Sequence, residues 1–171
     1  MTSHQAPSAT IDSELPALKN AVSVALEYAK QLGSSAAEVA ISKQQGLSVS
    51  TRNKEVETVE FNKDGALGIT VYRDGRKGNS STSDLSPEAI RQAVKAADDI
   101  AKYTSEDPFS GLADKALMAQ DIRDLQLYHP QILTAEELAE IAIRSEDACL
   151  QSDNRIKSSD GATANAHTSA K

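Results

Sequence analysis

The chain has 171 residues, a formal net charge of −7, 39% hydrophobic and 4% aromatic residues, and no Trp. That length suits one domain, or one domain with tails, and its core must be built from Val, Ile, Leu and Ala. The acidic balance excludes nucleic acid as the expected partner, because phosphate binding draws its affinity from clustered Lys and Arg.

Cys149 is the single cysteine, so no intrachain disulfide can form, and a reducing cytoplasm fits this usage. In its apolar setting beside Ala148 and Leu150 it reads as a buried small hydrophobe. The opening MTSHQAPSAT lacks the basic start and apolar run of a secretory signal, and no run of about eighteen apolar residues stands ready to span a bilayer. A soluble, cytoplasmic protein with neither a membrane nor a nucleic-acid partner is expected.

Residues 1–13 are rich in Ser, Thr, Ala and Pro without a period and read as a disordered lead-in. Leu15, Leu18, Val22, Leu26 and Ala29 then recur at steps of three and four, which predicts a helix ending near Gly33. Four segments switch to a period of two: Val39 and Ile41; Leu47, Val49 and Thr51; Val59 and Phe61; Leu67, Ile69 and Val71. Turn formers lie between them at Gly46, Arg52 with Asn53, Asp64 with Gly65, and Asp74 with Gly75, so residues 38 to about 82 read as an antiparallel meander.

Ser86, Pro87 and Glu88 form a helix start, and Ile90, Val94, Ala97 and Ala101 continue it on one face to about Tyr103. Residues 104–133 hold Pro108, Gly111 and Pro130 and no sustained period, which predicts an extended connection with a helical turn near Asp114 to Met118. Thr134 and Glu137 make a capping box before a third helix over about 135–151, with Leu138, Ile141, Ser145 and Ala148 at helical spacing. The tail 154–171 begins like a strand but has no apolar anchor. The elements together predict an α/β (α+β) fold: a two-layer domain whose antiparallel sheet of about four to six strands is covered by two or three helices.

No catalytic constellation emerges from the residues. A zinc peptidase needs two histidines about one helical turn apart and an acid to activate water, whereas His4, His129 and His167 are scattered. No serine stands in a Gly-x-Ser-x-Gly elbow, and Ser80, Ser81 and Ser83 read as a strand end running into a helix cap. Gly65, Gly68, Gly75 and Gly78 mark hairpins, since a dinucleotide loop must join strand to helix at fixed glycine spacing. Arg73, Arg76 and Lys77 read as a solvated hairpin tip, with docking toward an acidic peptide as the second reading, and Glu55 with Glu57 as strand-face acids without a second acid near in sequence to divide acid and base roles. Catalytic and metal-ligating residues are therefore expected to be none, and the substrate-binding residues unassigned.

The run EVETVEFNKDGALGITVYRDGRKGNSSTSDLSPEAI, residues 55–90, resembles the amino-terminal domain of the PmbA/TldE branch of the TldD/PmbA metallopeptidase family. The resemblance extends to AEVAISKQQGLSVSTRN (37–53), DIAKYTSEDPFSGLADKALMA (99–119) and DLQLYHP (124–130), and covers roughly residues 14–168. It implies a domain over 14–168, with 169–171 a truncated end and the carboxy-terminal domain absent.

The resemblance further implies a non-catalytic subunit of a cytoplasmic TldD/TldE heterodimer that degrades unfolded or flexible peptides, matures the peptide antibiotic microcin B17 and destroys the antitoxin CcdA. Zinc is then expected in the partner TldD subunit, which carries a His-Glu-x-x-x-His helix, and no cofactor in this chain. Two other readings are a free-standing protein-interaction module without a peptidase role and a hydrolase using Cys149.

Overall fold

In the computed structural model, residues 11–129 and 131–171 are described, with side chains from Ser13 onward. His4, Pro130 and the first ten residues of the expected lead-in lie outside them. The elements in chain order are α1 (Ile11–Gln31), β1 (Ala36–Arg52), β2 (Glu55–Arg73), β3 (Arg76–Thr82), α2 (Pro87–Tyr103), a 3-10 turn (Lys115–Leu117), α3 (Ala135–Ser152) and β4 (Ala162–Ala170). The strand order is β3-β2-β1-β4. This is the expected two-layer α+β domain with a four-stranded antiparallel sheet.

Two turns with left-handed backbone fold the strands into hairpins. Asp74 and Gly75 have φ of 49° and 78°, as the Asp-Gly signature predicts. The β1–β2 turn falls one residue later than expected, on Asn53 and Lys54, with φ of 52° and 65°. The turns expected at Gly46 and at Asp64–Gly65 are not made, and the four short segments merge into strands of 17 and 19 residues.

The reason is that both glycines serve close approach. A Cβ on Gly46 would lie 2.1 Å from Nδ1 of His167 on β4 and 2.8 Å from the Asn62 amide oxygen on β2; one on Gly65 would press the Ser42 carbonyl at 3.2 Å. The tail also differs from expectation. Residues 162–170 form a strand beside β1, anchored by buried Ala164, with Ala162 and Ala166 alternating around it. Gly161, at φ 102°, sits where a side chain would strike the Thr51 carbonyl.

The chain divides into two compact units. In the unit holding residues 12–43 and 65–126, Ala21, Ala25 and Ala29 of α1 and Ile90, Ala93, Val94, Ala97 and Ala101 of α2 pack with Leu67, Ile69 and Val71 of β2. The α2 stripe is as the spacing predicts. On α1 Leu18 and Ala29 are buried as expected, but Ala21 and Ala25 are buried in place of Leu26, which stays outside, because small side chains allow a helix close approach to a sheet.

In the unit holding residues 44–64 and 127–169, Leu138, Ala139 and Ala142 of α3 pack with Val49 of β1 and Ala164 of β4. Here too the stripe departs from the expected one, and Ile141, Ser145 and Ala148 face solvent. Both α2 and α3 start as read: the Ser86 hydroxyl accepts from the Ala89 N–H at 3.4 Å, and Thr134 and Glu137 cap each other reciprocally.

Candidate functional site

The longest exposed feature of the sheet is the first part of β2. The register of β3 on β2 runs from Arg73↔Arg76 to Leu67↔Thr82 and stops there. It stops because the chain turns away: the Thr82 hydroxyl accepts from the Asp84 N–H at 3.1 Å, the Asp84 carboxylate accepts from the Ser86 N–H at 2.8 Å, and Ser86 opens α2. Residues 55–66 therefore have β1 on one side and no strand on the other among the described residues. All twelve are exposed, including Val56, Val59 and Phe61. An unpaired edge offers the N–H and C=O of every second residue to another extended chain.

Two buried carboxylates hold the turns of the sheet. Glu146 of α3, 2% exposed, accepts the Asn53 and Lys54 N–H groups, each at 2.9 Å, and so locks the β1–β2 turn. Its neighbour Asp147 pairs with the Lys54 ammonium. Asp98 of α2 has no exposed surface and accepts from Arg73 Nε at 2.5 Å, with Lys102 Nζ 2.7 Å from its other oxygen. Burial alone would push the Asp98 carboxyl up, but the hydrogen bonds from Arg73 and Lys102 outweigh it and hold the group below the usual carboxylate range. Arg73 also donates to the Leu32 carbonyl at 2.5 Å, beyond the end of α1. It is therefore a structural hub and not part of a solvated hairpin tip; Arg76, by contrast, is exposed, with Nη1 3.4 Å from the Lys102 carbonyl.

After α2 the chain runs as an extended strap with little regular structure beyond the 3-10 turn, which falls where the sequence predicts a helical turn and is capped by Asp114. Asp107 ties its start to the β2–β3 turn by donating its N–H to the Gly75 carbonyl at 2.8 Å. Large apolar side chains stand out along it: Phe109 is 94% exposed and Ile122 89%, with Leu117 and Leu127 nearly as open, and Tyr103 at the end of α2 is equally bare.

The remaining candidate residues are not brought together. His129 is exposed on the strap, and His167 lies over Gly46 on β4. Ser80 donates to the Ala93 carbonyl at 2.6 Å, joining β3 to α2. Cys149 is exposed, contrary to expectation, because it lies in the last turns of α3 beyond the buried stripe that ends at Glu146. Among the described residues no group of three or more His, Cys, Asp or Glu side chains could hold a metal ion. No described helix is long and apolar enough to cross a membrane.

These features define a two-layer α+β domain with an open sheet edge and an apolar strap. Residues 37–101 match the PmbA/TldA metallopeptidase domain 1 family. Over 157 residues the chain is 54% identical to the metalloprotease PmbA of Escherichia coli O157:H7, covering 92% of this chain and 35% of the relative. Over 154 residues it is 55% identical to a metalloprotease PmbA homolog of Haemophilus influenzae, covering 90% and 34%.

Among solved structures, a putative modulator of DNA gyrase from Bacteroides thetaiotaomicron superposes with a TM-score of 0.71 at 25% identity, over 88% of this chain and 34% of that one. TldE from Thermococcus kodakarensis shares the fold, with a TM-score of 0.54 at 15% identity over 87% of this chain and 33% of that one. The chain belongs to the PmbA/TldD family and corresponds to its amino-terminal domain. It spans about a third of the length of the relatives it matches.

Proposed function

We propose that this chain is the amino-terminal part of the non-catalytic PmbA/TldE-type subunit of a cytoplasmic TldD/TldE metallopeptidase. In this reading a TldD-type subunit carries the zinc, and the assembly acts on unfolded or flexible peptides and on peptide antibiotic precursors. Membership of the family supports it.

The observation that carries it is the strap. Phe109, Leu117 and Ile122 of the strap, with Tyr103 at the end of α2, stand in water, at a cost of roughly 25 cal/mol for each Å² of apolar surface left uncovered. Several large apolar side chains exposed along one segment mark an interaction surface. The TldD-type subunit is the occupant proposed for this surface.

The catalytic half of the reading is tested on the chain by itself. Incubated with an unstructured peptide and zinc, it is expected to give no cleavage above the peptide alone. Cleavage by the purified chain that a chelator abolishes would overturn the non-catalytic assignment.

A further inference from the structure

The open edge of β2 points to a ligand of its own. Residues 55–66 carry four acids, Glu55, Glu57, Glu60 and Asp64, against one base, Lys63. Alternation along the strand puts Val59 and Phe61 on one face and Val56 on the other. Acids alone would be an ordinary guard against edge-to-edge pairing. Here they flank three exposed large apolar side chains on a stretch of β2 with no outer neighbour among the described residues, so the edge combines main-chain donors and acceptors, apolar contacts and negative charge.

We propose that the 55–66 edge of β2 is a binding site for an extended basic peptide, which adds to the sheet as a further strand. Main-chain hydrogen bonds supply the sequence-tolerant part of the affinity, Val59 and Phe61 receive apolar side chains at alternate positions, and the acids select Lys and Arg beside them. Twelve residues extend roughly 40 Å, enough for a peptide of about ten residues. Arg52 lies 3.5 Å from Glu57 and offsets part of the charge at the turn end, so the centre of the edge, around Glu60, is where basic selection falls. The inference shares with the proposed function only the expectation of peptide ligands, and it is read without a second subunit, so the two can fail separately.

The test uses the 171-residue chain with three labelled peptides about ten residues long: alternating Lys and Val, alternating Glu and Val, and the Lys–Val peptide N-methylated at alternate residues. Fluorescence anisotropy reports binding, and amide hydrogen exchange reports the site. The Lys–Val peptide is expected to bind, to protect amides within 55–66, and to weaken with added salt as exposed charges are screened. N-methylation, which removes main-chain donors, is expected to abolish binding. The double variant Glu57→Lys/Glu60→Lys is expected to weaken it by about tenfold, with an unchanged circular dichroism spectrum. Equal binding of the Glu–Val or N-methylated peptide, protection elsewhere, or no binding at all would overturn the proposal and leave the acids as an edge guard only.

Discussion

Arg73 of β2 and Asp98 of α2 form an ion pair in which the carboxylate is fully buried, the guanidinium nitrogen and carboxylate oxygen standing 2.5 Å apart. The pair fixes the carboxy-terminal half of α2 against the end of β2, and Lys102 meets the other carboxylate oxygen from one helical turn on. Replacing Asp98 with Ala leaves Arg73 and Lys102 without their shared acceptor. Since Arg73 keeps some solvent access, a loss of about 2–3 kcal/mol is expected in urea unfolding, below the range for a wholly buried pair.

The same pair sets a pH dependence. Asp98 is held below the ordinary carboxylate range in the folded chain, so the unfolded chain binds more protons there as pH falls. Its stabilising contribution is fully present above the ordinary Asp value near 4 and is lost as pH falls through the lower folded value. Asp98→Asn is expected to start less stable at neutral pH and to lose less on acidification. Urea midpoints measured between neutral and strongly acid pH check this, and parallel acid limbs for the two proteins would contradict it.

Glu146 presents a separable case, because its partners are main-chain N–H groups. Glu146→Gln places an amide donor where one of two donors must be met, and about 1–3 kcal/mol of stability should be lost. Amide exchange at Asn53 and Lys54 is expected to speed up more than at Leu67 or Ile69. Unchanged exchange at the turn would show that the lock contributes nothing.

Gly78 lies directly beneath α2. An added Cβ would stand 2.0 Å from the Ala97 carbonyl oxygen and 2.6 Å from the Ala101 nitrogen, both backbone atoms. Gly78→Ala is therefore expected to cost about 1–3 kcal/mol through displacement of the helix. Gly111→Ala, with nothing within 4 Å of its added Cβ, should change stability by less than about 0.5 kcal/mol. Thermal unfolding of the two variants side by side checks the contrast.

What the sequence disclosed depended on how many local signals agreed. For α2 the cap at Ser86, the proline at Pro87 and the stripe from Ile90 to Ala101 all pointed one way, and the helix lies where they place it. Gly46 and Gly65 misled because a glycine that clears room for a neighbouring strand looks, in sequence, like one that turns the chain. On α1 the larger Val22 and Leu26 drew the predicted stripe away from Ala21 and Ala25, and on α3 Leu138 is buried as predicted but its buried neighbours are Ala139 and Ala142.

Asp98 was legible in principle, since it stands four residues after Val94 on a buried face, where an acid demands a partner. The partner of Glu146 carried no local sign, being a turn more than ninety residues earlier. The β2 edge became visible only once the register showed where β3 stops.

The central claim, that this domain belongs to a two-subunit assembly and docks through its strap, is tested most directly by size-exclusion chromatography with light scattering on the chain mixed with a TldD-type subunit. The account predicts a complex of summed mass, which Phe109→Asp/Ile122→Asp abolishes while the chain's circular dichroism spectrum stays unchanged. Separate elution of the two wild-type proteins, or a complex indifferent to the strap substitutions, would contradict it.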